Sequence, residues 1–122
     1  VTFVDTSAWF ALYVAGDSQY HKANQWLAAN TEPLVTTDNV IDETLTLLRS
    51  RGQRRIALKF GVDAFSELLA DVYFLNRLDI GEAWEVFETF DDKDWSFTDC
   101  TSKVVIEQFT IAEAFAFDHH FR

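Results

Sequence analysis

The sequence is poor in the residues that mark specialised architectures, with one cysteine, one proline, four glycines and no methionine in 122 residues. A lone Cys100 can neither close an intramolecular disulfide nor furnish a cysteine-rich zinc site, so a stapled secreted scaffold and a zinc finger are both excluded. No apolar run approaches the ~18 residues that span a bilayer, and the first residues have neither a basic leader nor a small-residue cleavage site. The chain therefore reads as cytoplasmic, with no membrane partner. The missing methionine reads as a lost initiator or as a piece of a longer product. Without Gly/Ser tracts, repeats or low-complexity blocks nothing marks a boundary, and residues 1–122 read as a single domain.

Basic residues are scarce too. Ten Lys and Arg against 20 Asp and Glu give a net charge of -10, and the pI is near 4.5. Such a surface repels phosphate backbones, so a role in nucleic-acid chemistry requires bound metal ions or a local basic patch. What is abundant is apolar: 48% of residues are hydrophobic and 25% charged, the balance of a globular domain.

Short apolar runs alternate with amphipathic stretches. Val1 to Val4 predicts a strand that stops at Asp5, followed by a helix capped by Thr6 or Ser7. Asp17 or Ser18 caps a second helix with Tyr20, Ala23, Trp26 and Leu27 on its inner face, and Pro33 to Thr36 predicts a second strand. Thr37 or Asp38 opens a helix with Val40, Ile41, Leu45 and Leu48 as its buried stripe and Gly52 as its stop. Arg54 to Leu69 predicts a helical pair interrupted by Gly61, and Val72 to Leu78 a third strand. Ile80 to Phe90 is amphipathic again, Ser96 or Thr98 opens a last helix toward Phe109, and Ala114 to Phe117 predicts a strand ending at Asp118. Strands separated by helices imply an α/β fold with a parallel sheet, because parallel neighbours need crossover connections.

Asp5 and Asp118 each follow directly on a predicted strand, which places them at strand carboxyl ends, where parallel sheets open their ligand crevices. Each also reads as a turn or cap residue. Asp99 falls at a helix N-terminus, where the dipole favours a carboxylate with no ligand present. Glu43 lies close to the apolar stripe of its helix, and its neighbour Asp42 is the solvated residue if Glu43 points inward. Should Asp5, Glu43, Asp99 and Asp118 converge, they repel one another unless cations neutralise them, and hard oxygen donors select Mg²⁺ or Mn²⁺.

Arg49, Arg51, Arg54 and Arg55 crowd around Gly52 and are four of only ten basic residues. They read either as an anion-binding edge or as an exposed interhelical turn. Adjacent His119 and His120 point in different directions and are superfluous beside the carboxylates. Cys100 has no base named for it and reads as a buried thiol, and His21 as a polar helix residue.

Val4-Asp5-Thr6-Ser7, Glu43 within Asn39 to Leu48, Asp94-Trp95-Ser96-Phe97-Thr98-Asp99-Cys100 and Ala116-Phe117-Asp118-His119-His120-Phe121 together resemble the PIN domain, and within it the VapC-type toxins of toxin-antitoxin pairs. The order and spacing agree over nearly the whole chain. The Ser-Phe-Thr-Asp-Cys and Phe-Asp-His-His-Phe segments are the specific ones. The resemblance implies a three-layer α/β/α fold with a central parallel sheet of order 3-2-1-4. The chain stops at Arg122, short of the family's final strand, so the fifth strand is expected to be truncated or missing. The resemblance further implies an endoribonuclease that uses Mg²⁺ or Mn²⁺. Asp5, Glu43, Asp99 and Asp118 would be its acidic metal site, and Ser7 and Thr98 would support them by hydrogen bonds. RNA is then the substrate, a cognate antitoxin protein and a second copy in a homodimer are partners, and Arg49, Arg51, Arg54 and Arg55 contact RNA or the antitoxin.

Other acidic-crevice folds fail on residues. A haloacid-dehalogenase-type phosphatase needs a second Asp where Ser7 stands, and a receiver domain needs an acidic pair after its first strand. The alternative from another class is a catalytically silent PIN-like domain acting as a protein-interaction module.

Overall fold

The computed structural model describes residues 1–117. Four strands and six helices follow one another among the described residues: β1 (Thr2–Val4), α1 (Thr6–Tyr13), α2 (Tyr20–Ala29), β2 (Leu34–Thr37), α3 (Asp38–Ser50), α4 (Arg54–Phe65), β3 (Asp71–Tyr73), α5 (Arg77–Thr89), α6 (Phe97–Gln108) and β4 (Glu113–Phe115). The sheet order is β3-β2-β1-β4 and every pairing is parallel. This is the expected three-layer arrangement, with the sheet flanked by helices. The fifth strand and Asp118 fall outside the described residues.

Strand β1 is the centre of the sheet, with Thr2 aligned to Leu34 on one side and to Glu113 on the other. Helices cover both of its faces, which is why its three residues are buried without alternation. The Trp9 indole donates to Thr36 Oγ1 at 3.2 Å, and that hydroxyl donates to the Val4 carbonyl at 3.0 Å, so these polar atoms inside the core are paired. A smaller core of Ala83, Cys100 and Val104, joined by Val86, Trp95 and Phe97, locks α5 against α6 and so fixes where α6 begins.

Helix α3 starts on the Thr37 hydroxyl, which accepts from Val40 N at 3.1 Å, and ends before Gly52, whose φ of 75° few other residues tolerate. Several expected boundaries shift. The predicted pair over 54–69 is one helix, α4, running through Gly61. A Cβ at Gly61 would meet Leu45 Cδ2 at 3.5 Å, an ordinary contact, so the packing of α4 on α3 does not require this glycine and the helix runs through it unbroken. Phe65, Leu68 and Leu69 lie outside the core. The strand expected over 72–78 ends at Tyr73, because Asn76 and Asp79 form a capping box that opens α5 at Arg77. Helix α2 starts at Tyr20, with Asp17 Oδ2 accepting from Gln19 N one turn earlier. No helix among the described residues is long and apolar enough to cross a membrane.

The α1–α4 contact includes a titrating pair. Tyr13 donates its hydroxyl to Asp63 Oδ2 at 2.7 Å, and Lys59 sits 3.4 Å from the same oxygen. Burial first, and the Asp63 hydrogen bond and charge second, push the Tyr13 phenol well above the usual tyrosine range. The folded state thus holds this proton more tightly than the unfolded chain. Its contribution is intact below the ordinary value of 10.0 and is lost as pH climbs from there toward the folded value. Urea melts compared between pH ~8 and ~11 should show a smaller loss of stability for Tyr13→Phe than for the wild type.

Candidate functional site

The chain steps from β1 to β2 to β3 in one direction and then returns to place β4 on the other side of β1. The crevice at such a reversal, beyond the strand carboxyl ends, is where open α/β sheets bind ligands. Asp5 stands there, immediately after β1 and only 1% exposed. It occupies the N-cap position of α1, yet its side chain makes no capping hydrogen bond, so capping does not account for a buried carboxylate. Ser7 Oγ donates to Asp5 Oδ2 at 3.3 Å and accepts from Phe117 N at 2.8 Å. Asp5 N in turn donates to the Phe115 carbonyl at 3.1 Å. The Asp5 carboxylate and the chain just past β4 are thereby held together by one hydroxyl.

Asp99 is 7% exposed at the third position of α6. The Ser96 hydroxyl accepts from Asp99 N at 3.0 Å, and Asp99 Oδ2 accepts from Ser96 N at 2.9 Å. The capping reading of Asp99 is realised, and the cap fixes the carboxylate's direction. Ser96 is the residue that forms this box with Asp99. Thr98 lies in the first turn of α6, its carbonyl accepting from Thr101 Oγ1 at 2.7 Å.

Glu43 is half-buried on α3 while Asp42 is exposed, the rotation anticipated for an inward Glu43. Glu43 and Asp99 line one open hollow of about 490 Å³, walled by Thr6 and Ser7 from α1, by Thr46, Leu47 and Ser50 from α3, and by Asp94 and Ser96 ahead of α6. Asp5 lies beneath the Ser7 wall. Two residues missed in the sequence thus belong here. The Ser-x-x-Asp spacing of a capping box was the available signal for Ser96. Asp94, exposed at the rim, carried none.

The carboxylates and hydroxyls lining this hollow are hard oxygen donors, with no thiol or imidazole among them, which suits Mg²⁺ or Mn²⁺ and not zinc or copper. Among the described residues no three His, Cys, Asp or Glu side chains cluster tightly enough to hold an ion by themselves. Asp118, His119 and His120 lie outside the described residues. Cys100 is buried beside Asp99, and burial, with the Asp99 charge adding to it, pushes the thiol above its usual range, so it is a packing residue. His21 is exposed on α2 against the Tyr20 ring. A larger hollow of about 720 Å³ between α5 and α6 includes Asp79, but that carboxylate is spent on Tyr73 and Asn76.

The four arginines are all exposed. Arg49 is in the last turn of α3, Arg51 at its C-cap, and Arg54 and Arg55 open α4. None forms an ion pair with another described residue. Arg51 reaches over the Phe10 ring at 6.0 Å.

The PIN domain model matches residues 2–122. The 23S rRNA-specific endonuclease VapC20 of Mycobacterium tuberculosis, in strains H37Rv and CDC 1551, is 34% identical over 119 residues, covering 98% of this chain and 90% of the relative. The crystal structure of Mycobacterium tuberculosis VapC20, described as a sarcin-ricin loop cleaving toxin, superposes with a TM-score of 0.90 at 32% identity over 97% of this chain and 90% of that one. Sheet order, the placement of Asp5 and Asp99, and these likenesses along almost the full length agree: the chain belongs to the PIN-domain family.

Proposed function

We propose that the chain, as one PIN-like domain over residues 1–122, is a metal-dependent endoribonuclease of the VapC toxin type that hydrolyses RNA with Mg²⁺ or Mn²⁺. The observation that carries this reading is Asp5: a carboxylate 1% exposed, at the sheet's reversal point, that makes no cap bond although it stands at an N-cap. Asp5, Glu43, Asp99 and Asp118 are the residues that would hold the cation. When bound, such a cation polarises the phosphate and lowers the pKa of a water that attacks phosphorus in line.

The chain's own residues do the positioning. The capping box fixes Asp99, and Ser7 orients Asp5 while tying it to the backbone past β4. Glu43 faces them from α3, placed to hold an attacking water and accept its proton. Asp94 at the rim draws cations toward a cleft whose charge alone would repel RNA. No nucleophilic side chain is required.

The likeness to VapC20 supports 23S rRNA, at its sarcin-ricin hairpin, as the substrate. A cognate antitoxin protein and a homodimer in the cytoplasm complete the proposal. The test is incubation of antitoxin-free protein with ribosomal RNA in Mn²⁺ or in EDTA, with products mapped by primer extension. Cleavage at one hairpin only when Mn²⁺ is present is the expected result. Intact RNA in every condition would instead make the domain a silent interaction module.

A further inference from the structure

We infer that Arg51, Arg54 and Arg55, with the α3 face running from Glu43 to Ser50, form the track that holds the RNA backbone beside the cleavage site. This inference rests on the ribonuclease reading and adds where, and in which direction, the strand leaves the acidic centre.

The first observation is continuity. Glu43, Thr46, Leu47 and Ser50 share one face of α3 and form one wall of the hollow. Seven residues of helix advance about 10 Å, so the wall starts at the carboxylates and ends at the turn that carries the arginines. The second is electrostatic. Arg49 lies in the last turn of α3, where the helix dipole favours a cation, and needs no other explanation. Arg54 and Arg55 are the opposite case. They open α4, at the positive end of its dipole, where no acidic residue offsets them and Gln53 gives no side-chain cap. Neither pairs with a described carboxylate, although the chain carries 20 Asp and Glu. Two guanidinium groups held against their own helix, beside two more, are an arrangement that costs stability until an anion arrives.

The anion is a phosphate backbone in preference to a protein surface. The turn itself is polar, whereas the exposed apolar side chains of α4 lie further along it, at Leu58, Val62 and Phe65. Arg51, steadied over Phe10, follows the wall along the chain and precedes the α4 pair. Phosphates flanking the scissile one are thus offered guanidinium donors, which bind them as bidentate partners. The acidic end takes metal and the basic end takes the strand.

The test uses Asp99→Asn protein, so that bound RNA stays intact, with a labelled sarcin-ricin hairpin RNA in Mg²⁺ buffer, read by fluorescence anisotropy over a salt series. Adding Arg54→Gln and Arg55→Gln together should weaken binding by about tenfold or more at low salt and reduce the slope of log affinity against log salt by roughly 1 to 2. The same pair should leave the melting temperature unchanged or raise it, since two cations leave a helix N-terminus. Lys22→Gln and Arg77→Gln, exposed elsewhere, should change neither affinity nor slope. Unchanged affinity and slope in the double variant would overturn the proposal. So would RNA binding that is retained while the double variant escapes inhibition by a co-expressed antitoxin, which would assign the arginines to a protein. Wild-type protein that binds RNA through these arginines but cuts nothing in Mn²⁺ would defeat the nuclease reading and leave the track standing.

Discussion

Asp99→Asn is expected to abolish RNA cleavage and leave the fold in place. The asparagine side chain has the same shape, and its oxygen can still accept from Ser96 N. The reciprocal bond, from the backbone N of residue 99 to Ser96 Oγ, does not involve the side chain at all. Both halves of the capping box therefore survive, and stability should change by no more than ~0.5 kcal/mol. Charge is what disappears. Losing a carboxylate that grips a cation directly costs more than the ~10–100-fold typical of groups that only support a ligand, so the rate should fall by at least ~10²-fold. Initial rates on the hairpin RNA, thermal melts, and the upward shift in melting temperature on adding Mn²⁺ are the three readouts. A rate loss with the metal-free melt unchanged and the Mn²⁺ shift gone is the expected pattern. A melting temperature many degrees lower would make Asp99 a structural residue.

Phe60→Ala should have the largest effect on stability. Phe60 is 1% exposed, meets the Tyr13 ring edge-on at 5.1 Å and tilts against Trp9 at 5.6 Å. It is the fully buried side chain of α4 in the main core, with Ile56, Ala57 and Ala64 of the same helix packed against that core as well. Truncating a buried phenylalanine costs ~3–5 kcal/mol in lost burial and residual cavity, set against a total of only ~5–15 kcal/mol for an ordinary domain. Calorimetry should show a fall of about 10–20 °C in melting temperature. Phe65→Ala, on the same helix but 57% exposed, should move it by a few degrees at most. Equal losses in both would mean that the outer face of α4 is also buried, against a partner.

The sheet order was legible in advance because the family likeness was carried by long, specific segments, and the end of β1 because it stops at Asp5 ahead of a helix start. Boundaries failed where one residue type serves two purposes. Gly61 reads as a helix breaker along the chain, but α4 runs straight through it. Phe74 and Leu78 extend the apolar run after β3, but the Asn76–Asp79 box is a local reason to turn into a helix, and it prevails. In the site, Asp5 and Glu43 were legible because one follows a strand and the other lies on the helix stripe. Ser96 was read as a helix start and not as a support for Asp99, although the hydroxyl three positions earlier is the one a helix start brings into reach. Asp94 is exposed in a loop, where no periodicity predicts direction.

The bond between Ser7 and Phe117 spans 110 residues. It joins the exit of β1 to the exit of β4, so on the ribosome β1 waits for β4. Strand β1 has only β2 to pair with until Glu113 to Phe115 emerge, and only then does Asp5 gain its neighbour across the sheet. Contacts so distant in sequence form late in folding. A nascent chain therefore lacks this side of its cleft until β4 has emerged. For a protein whose relative is named for attacking ribosomal RNA, this ordering keeps the cleft unassembled until β4 has been made and has paired.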